Sequence, residues 1–137
     1  MEAVAGTTAA PPAKWMSWAG WALTAVVALF LAMDGAMKFT GVPQVRTATL
    51  GIGWPLALDK TIGVIELACL ALYAIPRTAV LGAILTTGLL GGAIAAHLRV
   101  ADPLFSHTLF GVYVGLMTWG GLWLRDARLR ALLPVSG

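Results

Sequence analysis

Two uncharged runs, Trp15 to Met33 and Thr78 to Ala96, decide what this chain can become. Each is long enough to cross ~30 Å of hydrocarbon as a helix. A third run, Pro103 to Leu124, is interrupted only by His107, and a fourth, about Asp59 to Ile75, is just long enough and contains Glu66. In hydrocarbon every backbone N–H and C=O must be paired within the protein, so such runs become helices. The expectation is an all-α fold, a four-transmembrane-helix bundle, with helices near residues 15–38, 59–75, 78–98 and 104–124. These form one domain over residues 14–130. Residues 1–13, rich in Ala, Thr, Gly and Pro, read as a disordered lead, and residues 131–137 as a C-terminal tail.

Charge supports the same class. Only 11% of the residues are charged and mean hydropathy is +0.86, whereas soluble domains carry roughly 25% charged residues. A net charge of +3 does not point to nucleic acid here, because the basic residues sit at helix ends, where they set topology and meet anionic lipid. Lys14, Arg77, Arg125, Arg128 and Arg130 fall on the side of the termini, and Lys38, Arg46, Lys60 and Arg99 on the other. That count favours cytoplasmic termini. The first run is longer than a signal-peptide core and lacks a cleavage site followed by a polar domain. The single Cys69 excludes an intrachain disulfide and a multi-cysteine metal site.

The longest connection, Gly41 to Leu58, is interrupted by glycines and prolines and only moderately polar. It reads as a loop or short helix on the membrane surface, capping the bundle as a candidate lid. The third span is rich in small residues, and its Gly88 and Gly92 form a GxxxG that predicts a close helix–helix contact.

The polar residues carry the functional signal. Asp34 and Lys38 form an i,i+4 pair at the end of the first span. Glu66 lies about 10 Å inside the second, where a carboxylate must face a partner or be protonated. Asp59, Ile62, Glu66, Cys69 and Tyr73 recur at helical spacing and mark that helix's inward stripe. His97 and Arg99 end the third span, Asp102 follows in the break, and His107 opens the fourth. An up-down topology gathers all of these at the end of the bundle away from the termini. Glu66, His97 and Asp34 are the candidate catalytic groups, suited to proton transfer. Lys38, Arg99, His107 and Asp102 are the candidate substrate-binding groups, the two cations suited to a developing oxyanion. No HxxxH or HExxH spacing exists, and no metal is assigned.

The segments Gly63-Val64-Ile65-Glu66-Leu67, Tyr73 to Ala83, Gly91 to Arg99 and Asp102 to Leu109 resemble the DoxX-like family of small four-helix integral membrane proteins. The resemblance covers roughly residues 20–130. It implies a four-helix membrane fold. Relatives take their name from a subunit of a thiosulfate:quinone oxidoreductase, and others are linked to redox stress, quinone detoxification or receptor assembly.

Three readings follow. The first is a membrane protein whose polar pocket binds or acts on a small lipophilic molecule, a quinone among the candidates, within a membrane redox system. The second is a cofactor-independent acid–base enzyme, an isomerase, cyclase or hydrolase of a lipophilic substrate. The third is a non-enzymatic scaffold whose polar cluster locks the bundle. The chain carries no flavin or nucleotide motif, so redox work would rest on a bound quinone or a partner redox subunit. The expected surroundings are the lipid bilayer of a bacterial inner membrane, with a homo-oligomer as the alternative to a partner subunit.

Overall fold

The computed structural model describes residues 13–133. The expected lead lies outside the described residues except for Ala13, as does the tail beyond Leu133. The chain is helical with no strand among the described residues: α1 (Lys14–Met37), α2 (Pro43–Gly51), α3 (Leu58–Ala74), α4 (Ala79–Arg99), a π-helical turn (Leu104–Thr108), α5 (Phe110–Arg125) and α6 (Ala127–Leu132). Helices α1 and α4 are long and apolar enough to cross a membrane. Helix α3 has 17 residues, near the lower limit for a span. Helix α5 has 16 and is extended at its N-terminus by the π turn.

The four long helices run antiparallel to their neighbours in the cyclic order α1, α3, α4, α5. Residue pairs fix the directions. Gly35 meets Gly63 while Thr24 meets Tyr73, and Gly20 meets Gly121 while Phe30 meets Phe110. The chain reverses between α3 and α4 at Ile75-Pro76-Arg77, where Ile75 is extended, as a residue before proline prefers.

The core is thin and sits toward the end that holds the termini. Val27, Leu31, Tyr73, Ala79, Ala83, Val114, Leu122 and Leu129 form it. The outer faces are apolar: Leu29, Leu116 and Phe105 are 72%, 69% and 74% exposed. Large contiguous apolar surface of this kind needs a non-aqueous neighbour. Trp15, Trp18 and Trp21 are exposed at the start of α1, the position of an interfacial aromatic belt.

Polar groups inside the terminal half pair across helices, although one guanidinium nitrogen each of Arg125 and Arg130 is buried without a partner among the described residues. Tyr73 donates its hydroxyl to the Thr118 carbonyl at 2.8 Å, and Arg125 Nε donates to Thr24 Oγ1 at 3.1 Å. The Arg125 guanidinium also lies 4.3 Å from the centre of the Trp21 ring. The sequence places Arg125 among the topology-setting cations; it is half-buried between α1 and α3.

Close contact falls on other glycines than the expected ones. A Cβ on Gly82 would land on the Tyr73 backbone, whereas Gly88 and Gly92 have open space where a Cβ would go. The GxxxG of α4 therefore does not pack against a helix. It leaves room. Gly82→Ala is expected to destabilise the bundle by about 2 kcal/mol through overpacking, and Gly92→Ala by close to nothing; paired detergent melts or SDS-unfolding curves check this.

Candidate functional site

The open space at Gly88 and Gly92 belongs to a cavity of about 520 Å³. It lies between α1 and α4, which face each other diagonally across the bundle, and α2 with the following loop covers it. Its apolar wall includes Phe30, Leu31, Ile62, Leu90, Ile94 and Phe110. Its polar wall holds Asp34, Lys38, Thr49, Asp59, Glu66, His97, His107 and Thr108.

Lys38 is the centre of one polar side. It caps the end of α1, one turn after Asp34, so Asp34 and Lys38 share a face. Lys38 Nζ pairs with Asp34 Oδ2 and lies 3.0 Å from Glu66 Oε2. One ammonium thus bridges two carboxylates from two helices. Side-chain exposure is graded across the three, 44% for Asp34, 17% for Lys38 and 5% for Glu66. Glu66 reaches the cavity because Asp59, Gly63, Glu66, Cys69 and Tyr73 form the buried stripe of α3.

The end of α4 builds the second polar side. Val100 is its C-cap, Ala101 N–H bonds the Leu98 carbonyl and Asp102 N–H bonds the His97 carbonyl, both at 3.1 Å. These are the two hydrogen bonds of a Schellman motif. Such a motif brings the second residue past the cap beside the third residue before it. Here those residues are Asp102 and His97, and a polar contact stands where an apolar one is usual: His97 Nδ1 and Asp102 Oδ2 are 2.5 Å apart. The motif requires a left-handed residue, and Ala101 fills it with φ +55°. Pro103 then stops the helix. The π turn follows and carries His107, whose ring centre is 6.0 Å from that of His97.

The roof is tied at two points. Thr49 on α2 donates to Asp59 Oδ1 at 2.5 Å. Arg99 donates to the Ile52 carbonyl and packs against Gly53, whose φ of +77° suits glycine. Val45, Ala48, Ile52 and Trp54 face the cavity from this roof.

The candidate residues therefore divide. Asp34, Lys38, Glu66, His97 and His107 all line the one cavity. Asp102 stands behind His97, and Arg99 points to the roof loop rather than toward a ligand, because its guanidinium is engaged by the Ile52 carbonyl. Sequence reasoning missed the Thr49–Asp59 contact. The signal available for it was Asp59 at the head of the inward stripe, with a threonine among the nearby connecting residues.

Fold and site together define an integral membrane helical bundle that encloses a cavity with acids, a lysine and imidazoles in its wall. The chain belongs to the DoxX-like family, whose model matches residues 22–121. That match takes in every residue of the polar wall and ends before Arg125. No curated protein and no solved structure matches the chain.

Two stability effects are expected. Lys38→Met leaves two carboxylates facing each other and should destabilise by about 3 kcal/mol, part of which Glu66→Gln in the same chain restores. Ala101→Gly removes left-handed strain and should stabilise by about 1 kcal/mol. Equilibrium unfolding in detergent measures both.

Proposed function

We propose that the cavity binds a small lipophilic molecule with a carbonyl or hydroxyl head, of which a quinone is the leading example, and that the wall exchanges protons with that head. One observation carries the reading: Glu66 and His97, from two different helices, open onto one cavity whose remaining wall is largely apolar. An apolar space with a few convergent polar groups is the usual form of a ligand site. The apolar lining takes a ring or isoprenoid portion, and the polar wall takes the oxygen substituents.

The division of labour follows from the geometry. Glu66, desolvated and held by Lys38, donates or accepts a proton at one oxygen of the head. Lys38 stabilises negative charge developing on that oxygen. Asp34, the most exposed of the three, relays protons between Glu66 and the outside. His97 and His107 serve the opposite polar side. Redox chemistry then comes from the quinone itself and from a partner subunit that supplies electrons. The termini are cytoplasmic in this reading, and the membrane is a bacterial inner membrane.

A second reading draws support from the His97–Asp102 pair, an acid–base arrangement that needs no electron carrier. In that case the lipophilic substrate is isomerised, cyclised or hydrolysed in place. Both readings use the same cavity, and they differ in the molecule it holds.

Binding is tested with a short-chain ubiquinone analogue and tryptophan fluorescence. Trp54 lines the cavity, so a bound quinone quenches it, and Trp54→Phe removes that component. Gly92→Phe should weaken binding at least tenfold while leaving the melting temperature near wild type, because its side chain enters open space. Glu66→Gln keeps size and hydrogen bonding and should retain binding while abolishing turnover. Unchanged quenching in Gly92→Phe would place the molecule elsewhere.

A further inference from the structure

Asp102 does not line the cavity, yet its carboxylate lies 2.5 Å from a ring nitrogen of a residue that does. Three features of the chain converge to put it there. The Schellman turn sets Asp102 beside His97. The turn depends on a left-handed alanine where glycine would be easier. Pro103 then fixes the direction in which the chain leaves. A strained non-glycine residue held at the rim of a ligand cavity is a recognised sign of a functional constraint.

The pair has a chemical consequence. A carboxylate offers only acceptors, so the proton in the contact belongs to His97 Nδ1. In the neutral ring, Nε2 is then the bare nitrogen, and it makes no hydrogen bond among the described residues. His107 differs. Its Nδ1 lies 2.8 Å from Ser106 Oγ, and a hydroxyl either donates or accepts, so Ser106 dictates no tautomer. Two imidazoles stand in one wall, and only one of them has its protonation pattern set by a neighbour.

We propose that Asp102 is a positioning residue that holds His97 as the Nδ1–H tautomer and so makes Nε2 the proton acceptor of the cavity. The ligand class this implies carries an acidic O–H, such as a hydroquinone, an enol or a phenol. In the step the ligand O–H bond breaks, an Nε2–H bond forms, and the electron pair stays on the ligand oxygen. His97 becomes an imidazolium, balanced by Asp102 behind it. The resulting oxyanion lies in a cavity whose lining also holds Lys38, with Asp34, Asp59, Glu66 and His107 as the other titratable groups. No electron is transferred in this step. The ligand class rests on the reading under Proposed function, whereas the tautomer does not.

The experiment is ¹⁵N NMR of the histidine rings in the full-length protein, labelled at histidine and held in nanodiscs without added ligand. Only two histidines exist, and His107→Gln assigns them. Two-bond ¹H–¹⁵N correlations separate the Nδ1–H tautomer, the Nε2–H tautomer and the imidazolium. Spectra are taken about two units above the ordinary imidazole pKa. His97 in the wild type should show Nδ1–H with a bare Nε2. Asp102→Asn should move it toward Nε2–H, leave His107 unchanged and keep the helical circular dichroism. Asp102→Glu should restore part of the wild-type pattern. An Nε2–H or mixed His97 in the wild type, or a pattern indifferent to Asp102→Asn, overturns the proposal. If Asp102→Asn does not fold, the wild-type spectrum alone decides. A protein that shows the Nδ1–H tautomer but binds no quinone analogue loses the ligand reading and keeps the positioning role.

Discussion

The structure depends on one ammonium placed between two carboxylates. Glu66 sits on the buried stripe of α3, where water is scarce, and Asp34 sits on the facing side of α1. Either acid alone would be expensive at that depth, and the two together more so. Lys38 joins both, so the same contact that neutralises them also ties α1 to α3 at the end where the bundle opens. Replacing the trio by apolar side chains would remove the cost without losing packing. That the chain keeps three ionisable groups there agrees with the proposal that they also serve a ligand.

Packing and opening are divided along the bundle. Toward the termini, Gly82 presses on Tyr73 and Gly20 on Gly121, and the core residues fill the space between. Further along, α1 and α4 part across the diagonal, and Gly88 and Gly92 supply no side chain to close the gap. Helix α2 covers that gap and is held through Thr49 to Asp59 and through the Ile52 carbonyl to Arg99. A roof tied by two polar contacts, over an apolar chamber, is a natural place for entry and exit.

Much of this was legible in the chain because its two strongest signals are physical. Uncharged runs must be helices in lipid, and a carboxylate such as Glu66 must find a partner. The helical fold, the Asp34–Lys38 pair and the need for a partner at Glu66 could therefore be expected from residue types and spacing, but not that Lys38 is that partner. The role of Arg99 was not legible, since a terminal cation looks the same whether it faces a ligand or a loop carbonyl. Asp102 was misplaced for a related reason: the turn that sets it behind His97 uses Ala101 in a conformation normally signalled by glycine. The α4 glycines were read as contact residues because small side chains permit close packing and open space equally. Only the neighbouring helices decide between them.

The central claim is that the cavity holds a lipophilic molecule with an oxygen-bearing head. It is tested most directly by purifying the protein from its native membrane in mild detergent and identifying the small molecules that remain by mass spectrometry. The account predicts one such compound in near-stoichiometric amount, displaced by excess quinone analogue. Recovery of bulk phospholipid alone, in the proportions of the surrounding membrane, would contradict it.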